Sequence, residues 1–309
     1  MNNNLEQELI NALLADRKSD RRWRNIRFAS WVIIVLLLII LIFAPSSEQM
    51  SDTPKGHYVS LVRLDGIILP NTPFSAQQVI PELQKAFSDK HAEGVVLLIN
   101  SPGGSAVQAS IIHDKILALK KRYKKKVVVI GLDVLASGAY LISTAADKIY
   151  VNPDTLTGSI GVVMSSFGFV DTIQKLGVTR RLFTAGENKD RLDPFKPLNP
   201  EDVAKINVVL AQVHQNFIDD VTKGRGDRLR GNREELFSGD FWTGQEATRL
   251  GIVDGTANLW VVLRKEFGVR YYKDYTAKLS IIQLLFKDVG TQLTTHLLNN
   301  NSPVRAQAY

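Results

Sequence analysis

Two short glycine-bearing stretches carry the residue types that acyl chemistry needs. Asn100-Ser101-Pro102-Gly103-Gly104 follows the apolar run GVVLLI, and Ala136-Ser137-Gly138-Ala139-Tyr140 follows VVVIGLDVL. Both stretches therefore fall at the carboxyl ends of buried strands, the edge of an open α/β sheet where ligands bind. Successive glycines let backbone N–H groups approach a substrate closely, and a helix start adds the positive end of its dipole. Such a turn has the physics of an oxyanion hole, although a plain strand-to-helix connection looks the same in sequence. Ser137 has two readings of the same kind: a nucleophile with the Gly138 N–H beside it, or a serine capping the next helix. Its flanks are Leu135 and Ala139, so the nucleophile elbow G-x-S-x-G is absent.

A nucleophilic serine needs a base. The chain has five histidines, His57, His91, His113, His214 and His296, and none lies between Ser137 and residue 213. His113 with Asp114 reads as solvated helix surface, so spacing does not support a Ser-His-Asp triad, which only tertiary proximity would build. The absence of cysteine excludes disulfides, thiol nucleophiles and cysteine-ligated metals. There is no P-loop, no H-E-x-x-H and no metal-ligand cluster in the pattern, so neither a metal nor a cofactor is expected. The net charge of +7, from 38 basic and 31 acidic residues, is mild and does not predict nucleic-acid binding. The basic run Lys120–Lys126 joins a helix end to a strand, where lysines favour the helix C-terminus, and reads as a solvated connector.

The elements that must hold these turns follow from apolar patterning. VSLVRLDGIIL (Val59–Leu69) reads as a strand, with a helix over Ser75–Asp89. Gly94–Asn100 is a continuous apolar strand, followed by a helix from about Ser105 to Lys121. Lys126–Leu132 repeats the pattern, with a helix near Ser137–Ala146 and then KIYVN, Lys148–Asn152. Buried strands written as unbroken Val/Ile/Leu runs and separated by helices predict an α/β fold with much parallel sheet. A long amphipathic helix is expected from Pro200 to about Lys223, opened by Asn199 and Pro200.

Mean hydropathy is −0.03, the value of an ordinary water-soluble chain, yet it averages two unlike parts. Phe28–Ala44 is 17 residues without a charge and almost wholly apolar. That length is at the short end of what spans a bilayer, roughly 17–25 residues. Trp23 and Trp31 bracket its start; six bases and one acid lie between Arg17 and Arg27, and Glu48 and Asp52 precede Lys55. The positive-inside rule then keeps the N-terminus in the cytoplasm and exports the rest. A cleaved signal peptide fits less well, because the run exceeds the usual ~7–15 apolar residues and Ile42 and Pro45 flank the candidate site after Ala44. The expected organisation is a cytoplasmic segment 1–27, a signal anchor 28–44, a linker 45–56, a catalytic domain 57–270 and an extension 271–309. The extension carries a candidate amphipathic helix over Leu279–Leu298.

NSPGG, ASGAY, TLTGSIGV (Thr155–Val162), GENKD (Gly186–Asp190) and TGQEATRLGIVD (Thr243–Asp254) occur in one order. In this they resemble the signal peptide peptidase SppA family in its single-repeat bacterial form, related to the Clp protease and crotonase folds. The resemblance covers about Tyr58 to Val269. It implies Ser137 as nucleophile, Lys189 as general base and Ser159 as the residue orienting the Lys189 amine. It also implies Gly103 and Gly138 as oxyanion-hole amides. The implied activity is a membrane serine endopeptidase at the bacterial inner membrane, with its catalytic domain outside the cytoplasm, cutting peptides such as remnant signal peptides. The implied assembly is an octameric ring whose Ser137 and Lys189 come from neighbouring protomers. A Clp-class protease with other membrane clients and an inactive ring-shaped scaffold are the alternatives.

The residues around Lys189 set a physical condition on that role. A free lysine titrates near ~10.4 and must fall about 3 units to act as a base at neutral pH. Desolvation achieves such shifts. Lys189 nevertheless sits among Glu187, Asp190 and Arg191 in a stretch that reads as a solvated loop. The acidic side chains must turn away, or a partner must cover the loop.

Overall fold

The computed structural model describes residues 23–36 and 56–276. The chain divides into two units. Of the first, residues 23–36 form a helix whose apolar side chains, Phe28 and Trp31 among them, are exposed. Among the described residues no helix is long and apolar enough to cross a membrane. The expected span 28–44 runs beyond residue 36, and the expected helix Leu279–Leu298 also lies outside the described residues.

The second unit is a mixed α/β fold around one eight-stranded sheet. Its centre is three parallel strands, β1 (Tyr58–Asp65), β2 (Ala92–Ser101) and β3 (Lys126–Ala136). Their registers place Leu61 beside Val96 and Val96 beside Val128. Because successive side chains point to opposite faces, the unbroken apolar runs feed two cores. Val62, Val95, Leu97, Val127 and Val129 face one, covered by α1 (Ala76–Ser88), α2 (Ala106–Tyr123) and α3 (Gly138–Ser143). Leu61, Val96, Leu98, Val128 and Ile130 face the other. Each such side chain contributes roughly 1.5–3 kcal/mol on burial, which outweighs weak local preferences.

β3 continues to Ala136, four residues past the expected end at Leu132. The pairing jumps from Ile99↔Gly131 to Ser101↔Leu135, an irregularity with extra residues on β3. The Asn100 side chain staples it, accepting from the Val134 N–H at 3.0 Å and donating to Asp133 Oδ2 at 2.8 Å. Beyond this point the outer edge of β3 changes partner. Its first half pairs with β4 (Lys148–Val151) and its last residues with β5 (Leu156–Gly158). The change of partner brings β5 alongside the end of β3.

The chain from Ser159 to Asn199 holds a single short helix, α4 (Val170–Lys175), and is largely exposed. It leads into α5 (Pro200–Arg225), whose N-terminus is capped as expected by the Asn199 side chain, at 2.9 Å from Glu201 N. Short elements follow: α6 (Arg233–Leu236), β6 (Phe241–Thr243), α7 (Gly244–Arg249), β7 (Gly255–Thr256) and α8 (Leu259–Phe267). Val262 and Leu263 of α8 cover the second core. The sheet then gains a last parallel strand beside β1, β8 (Tyr271–Asp274), beyond the boundary expected at residue 270.

Two surface readings change. His113 is buried at 4% exposure on the inner face of α2, in the row of Ala109, Ile112 and Ile116. Within the basic connector, Lys120 reaches Asp147 at 2.9 Å, Lys126 reaches Glu266 at 2.7 Å and Lys125 binds the Asp89 carbonyl. Those three bases tie elements together and are not simply solvated.

Candidate active site

β3 delivers Ser137 into a sharp turn before α3. The residue has φ 53 and ψ −124, a left-handed conformation that non-glycine residues rarely adopt. Two bonds fix it: Ser137 N donates to Gly158 O, and Leu141 N donates to Ser137 O, both at 2.9 Å. The strained strand-to-helix presentation of an elbow is thus present without the elbow's flanking glycines. A helix opens at Gly138, and its first N–H is among the orphan donors of every helix start.

The NSPGG turn packs directly against this corner. A Cβ on Gly103 would lie 2.7 Å from Ser137 Cβ and 2.8 Å from Gly138 N, so only glycine fits there. Gly103 is buried, however, and its N–H donates to the Ser101 hydroxyl at 3.1 Å. The next residue differs. Gly104 is exposed and lines the same cavity as Ser137 and Gly138. Among the described residues no acceptor takes the Gly104 or the Gly138 N–H. The structure therefore offers two free amides at the serine corner, from Gly104 and Gly138, while Gly103 supplies the close packing.

β5 brings the second serine. Its register pairs Ala136 with Gly158, so Ser137 and Ser159 each stand one residue past a matched pair. Ser159 also has positive φ, at 50, with its N–H held by Asp240 O at 2.7 Å. Ser137 and Ser159 line one cavity of about 810 Å³ between α2 and α5. Val107 and Ile111 of α2 and Val213 and Phe217 of α5 give it apolar walls. His214 and Asp220, also on α5, are its titratable lining residues among those described. His214 was not singled out by the sequence reading, though Val213, His214 and Phe217 do share a face at helical spacing.

Lys189 is not brought to this cavity within the chain. It lies in an exposed turn, with its backbone N–H on Gly186 O at 3.2 Å. Two of the three neighbouring charges are engaged elsewhere: Asp190 pairs with Lys196, and Arg191 pairs with Asp202 at 2.9 Å, while Glu187 makes no ion pair among the described residues. The hydrogen bond and charge of Lys196 hold the Asp190 carboxyl below its ordinary range. Among the described residues Lys189 has no ion pair. The same segment exposes large apolar side chains, Val163 at 88% and Phe183 at 90%. No group of side chains able to hold a metal occurs among the described residues.

Two family models match the chain: Peptidase family S49 over residues 119–265 and Clp protease over residues 61–157. The chain is 42% identical over 230 residues to a Brucella melitensis protein named Na(+)/H(+) antiporter NhaA, a match covering 73% of this chain and 30% of that one. It thus spans under a third of that relative, whose name describes a much longer protein. It is 28% identical to the "Putative signal peptide peptidase SppA" of Enterococcus faecium, covering 76% of both chains. Against Protease 4 of Haemophilus influenzae the identity is 30%, over 71% of this chain and 35% of that one. The two family models overlap across the serine corner and together cover residues 61–265, so the α/β unit is similar to the SppA-type serine peptidases of family S49.

Proposed function

We propose that the chain is a membrane-anchored serine endopeptidase that hydrolyses membrane-associated peptides, remnant signal peptides among them. One observation carries the reading: a strained Ser137 beside two glycine amides without an acceptor, in a cavity with apolar walls on α2 and α5. Ser137 Oγ attacks the scissile carbonyl, and the Gly104 and Gly138 N–H groups receive the developing oxyanion. A donor of that kind contributes on the order of 10²–10³ in kcat. Lys189 takes the serine proton, passes it to the leaving amine and then activates the water that hydrolyses the acyl-enzyme. Ser159 orients the lysine amine.

Lys189 reaches the cavity from a neighbouring protomer. The exposed apolar side chains of the Ser159–Asn199 segment support this, since burying them against a second copy also desolvates the lysine loop. Desolvation is what a lysine needs to become a base. We further propose that the apolar run 28–44 anchors the chain in the inner membrane with residues 1–27 in the cytoplasm, the ring then being an octamer in the exported space. The basic flank supports that orientation.

The test is peptide hydrolysis by detergent-purified full-length protein, wild type against Ser137→Ala and Lys189→Ala. Wild-type cleavage abolished by both changes is the expected outcome. Equal activity in all three excludes the dyad, and a wild type that cleaves nothing favours an inactive scaffold. Cleavage of membrane proteins but not of signal peptides would assign the enzyme to other clients.

A further inference from the structure

We propose that His214 is a positioning residue, holding the Ser159 turn in its working conformation from the rigid face of α5. This rests on the peptidase reading above. His214 Nε2 lies 3.0 Å from Ile160 O. A carbonyl only accepts, so Nε2 carries the hydrogen and, in the neutral ring, Nδ1 does not. Ile160 is fully buried, and among the described residues this is the bond that takes its carbonyl.

The bond matters because of where the turn sits. Gly158 O accepts from Ser137 N, Ser159 N donates to Asp240 O, and Gly161 N donates to Ser159 O. Ser159 between them has φ 50, a conformation that persists only where its surroundings fix it. His214 closes the set from the opposite wall of the cavity. Its helix is well anchored for that purpose. Phe217, Ile218 and Val221 enter the core, and Arg225 binds Gly251 O at 2.8 Å and Asp254 at 2.6 Å. An Nε2–H donating to a carbonyl is unavailable as a base through that nitrogen in either charge state, which separates this role from proton abstraction.

The experiment measures kcat and KM on one peptide for the full-length protein, with reactive Ser137 counted by a fluorophosphonate probe. The variants are His214→Ala, His214→Gln, Ser159→Ala and the double alanine variant. His214→Ala is expected to lower kcat per labelled serine roughly tenfold, the kinetic equivalent of one lost hydrogen bond, with KM little changed. His214→Gln retains an amide donor and is expected to recover much of that loss. The double variant is expected to be no slower than Ser159→Ala, because both changes act through one group. Unchanged kcat per labelled serine in His214→Ala, with only fewer labelled sites or a lower Tm, would show a merely structural histidine and overturn the proposal. A Gln variant as slow as Ala, with the acidic limb of the pH profile gone, would make His214 the base and overturn it too. Wild type that neither labels nor cleaves sinks the peptidase reading itself, and this role with it. A wild type that cleaves while His214→Ala is unaffected sinks this role alone.

Discussion

Ser137 holds φ 53 in an environment where glycine would hold it more easily. Strain of this kind costs on the order of 1–3 kcal/mol and is kept where chemistry needs a side chain in that place. Ser137→Gly is therefore expected to raise Tm, by roughly 2–4 °C per kcal/mol recovered for a domain of this size, while abolishing hydrolysis. Ser137→Ala should abolish hydrolysis without that gain, because a Cβ remains. Thermal unfolding of the two variants side by side checks it, and equal Tm values would mean that the turn stores no strain. Gly103 makes the complementary case. An added methyl would meet Ser137 Cβ and Gly138 N below 3 Å, and both belong to backbone or a short side chain that cannot swing away. Gly103→Ala should displace the Gly138 amide and lower kcat on the order of 10²-fold, the effect of losing one oxyanion donor. The sequence marks both glycines of NSPGG as special but not which amide faces substrate. That depends on whether the Ser101 hydroxyl turns to the Gly103 N–H, as it does here at 3.1 Å.

Strands buried on both faces are legible from apolar runs alone, which is why the parallel β1, β2 and β3 each start within two residues of expectation, although β1 ends at Asp65 and not at Leu69. The last residues of β3 were hidden because Gly131 and Asp133 interrupt the run, and the side chain that stitches them down, Asn100, lies on a different strand. His113 carries a polar ring next to Asp114, yet it is buried. Its spacing from Ala109 and Ile116 already put it on the buried stripe of α2. Glu266 on α8 shows how elements distant in sequence are joined by charge. It accepts from Lys126 of β3 at 2.7 Å and from Tyr150 of β4 at 2.6 Å, with Lys148 of β4 at 3.1 Å. Burial opposes its charge, but these donors outweigh that and bring its pKa down from the ordinary 4.5 to about 2. A carboxylate whose pKa is lower folded than unfolded stabilises above its unfolded value and loses that contribution as protons bind. The stability difference between wild type and Glu266→Gln should therefore be full at neutral pH and shrink as pH falls from about 4.5 towards about 2. Chemical denaturation of both proteins across that range measures it. A difference constant with pH would mean the clasp holds by packing alone.

In the proposed assembly a complete site draws on more than one copy of the chain. Ser137, Ser159 and the two free amides share a cavity, whereas Lys189 lies in an exposed turn outside its lining. Asp190 is committed to Lys196 and Arg191 to Asp202, and the Lys189 ammonium makes no ion pair among the described residues. The large apolar side chains exposed on the same segment, Phe183 and Val163 above all, are the surface whose burial against a second copy would remove its water. Exposed apolar area of that kind is the usual mark of an interaction site. If protomers share sites, then chains carrying Ser137→Ala and chains carrying Lys189→Ala, each inactive alone, should regain activity when refolded or co-expressed together. In a random equal mixture each site draws its serine and lysine from different chains, so about one in four carries both. Recovered hydrolysis near that fraction of wild type is the expected result, with native mass spectrometry verifying that mixed assemblies formed. Mixed assemblies with no recovery would place the lysine and the serine of each site on one chain. The turn at Gly186–Asp190 would then have to fold back onto the cavity in the active state.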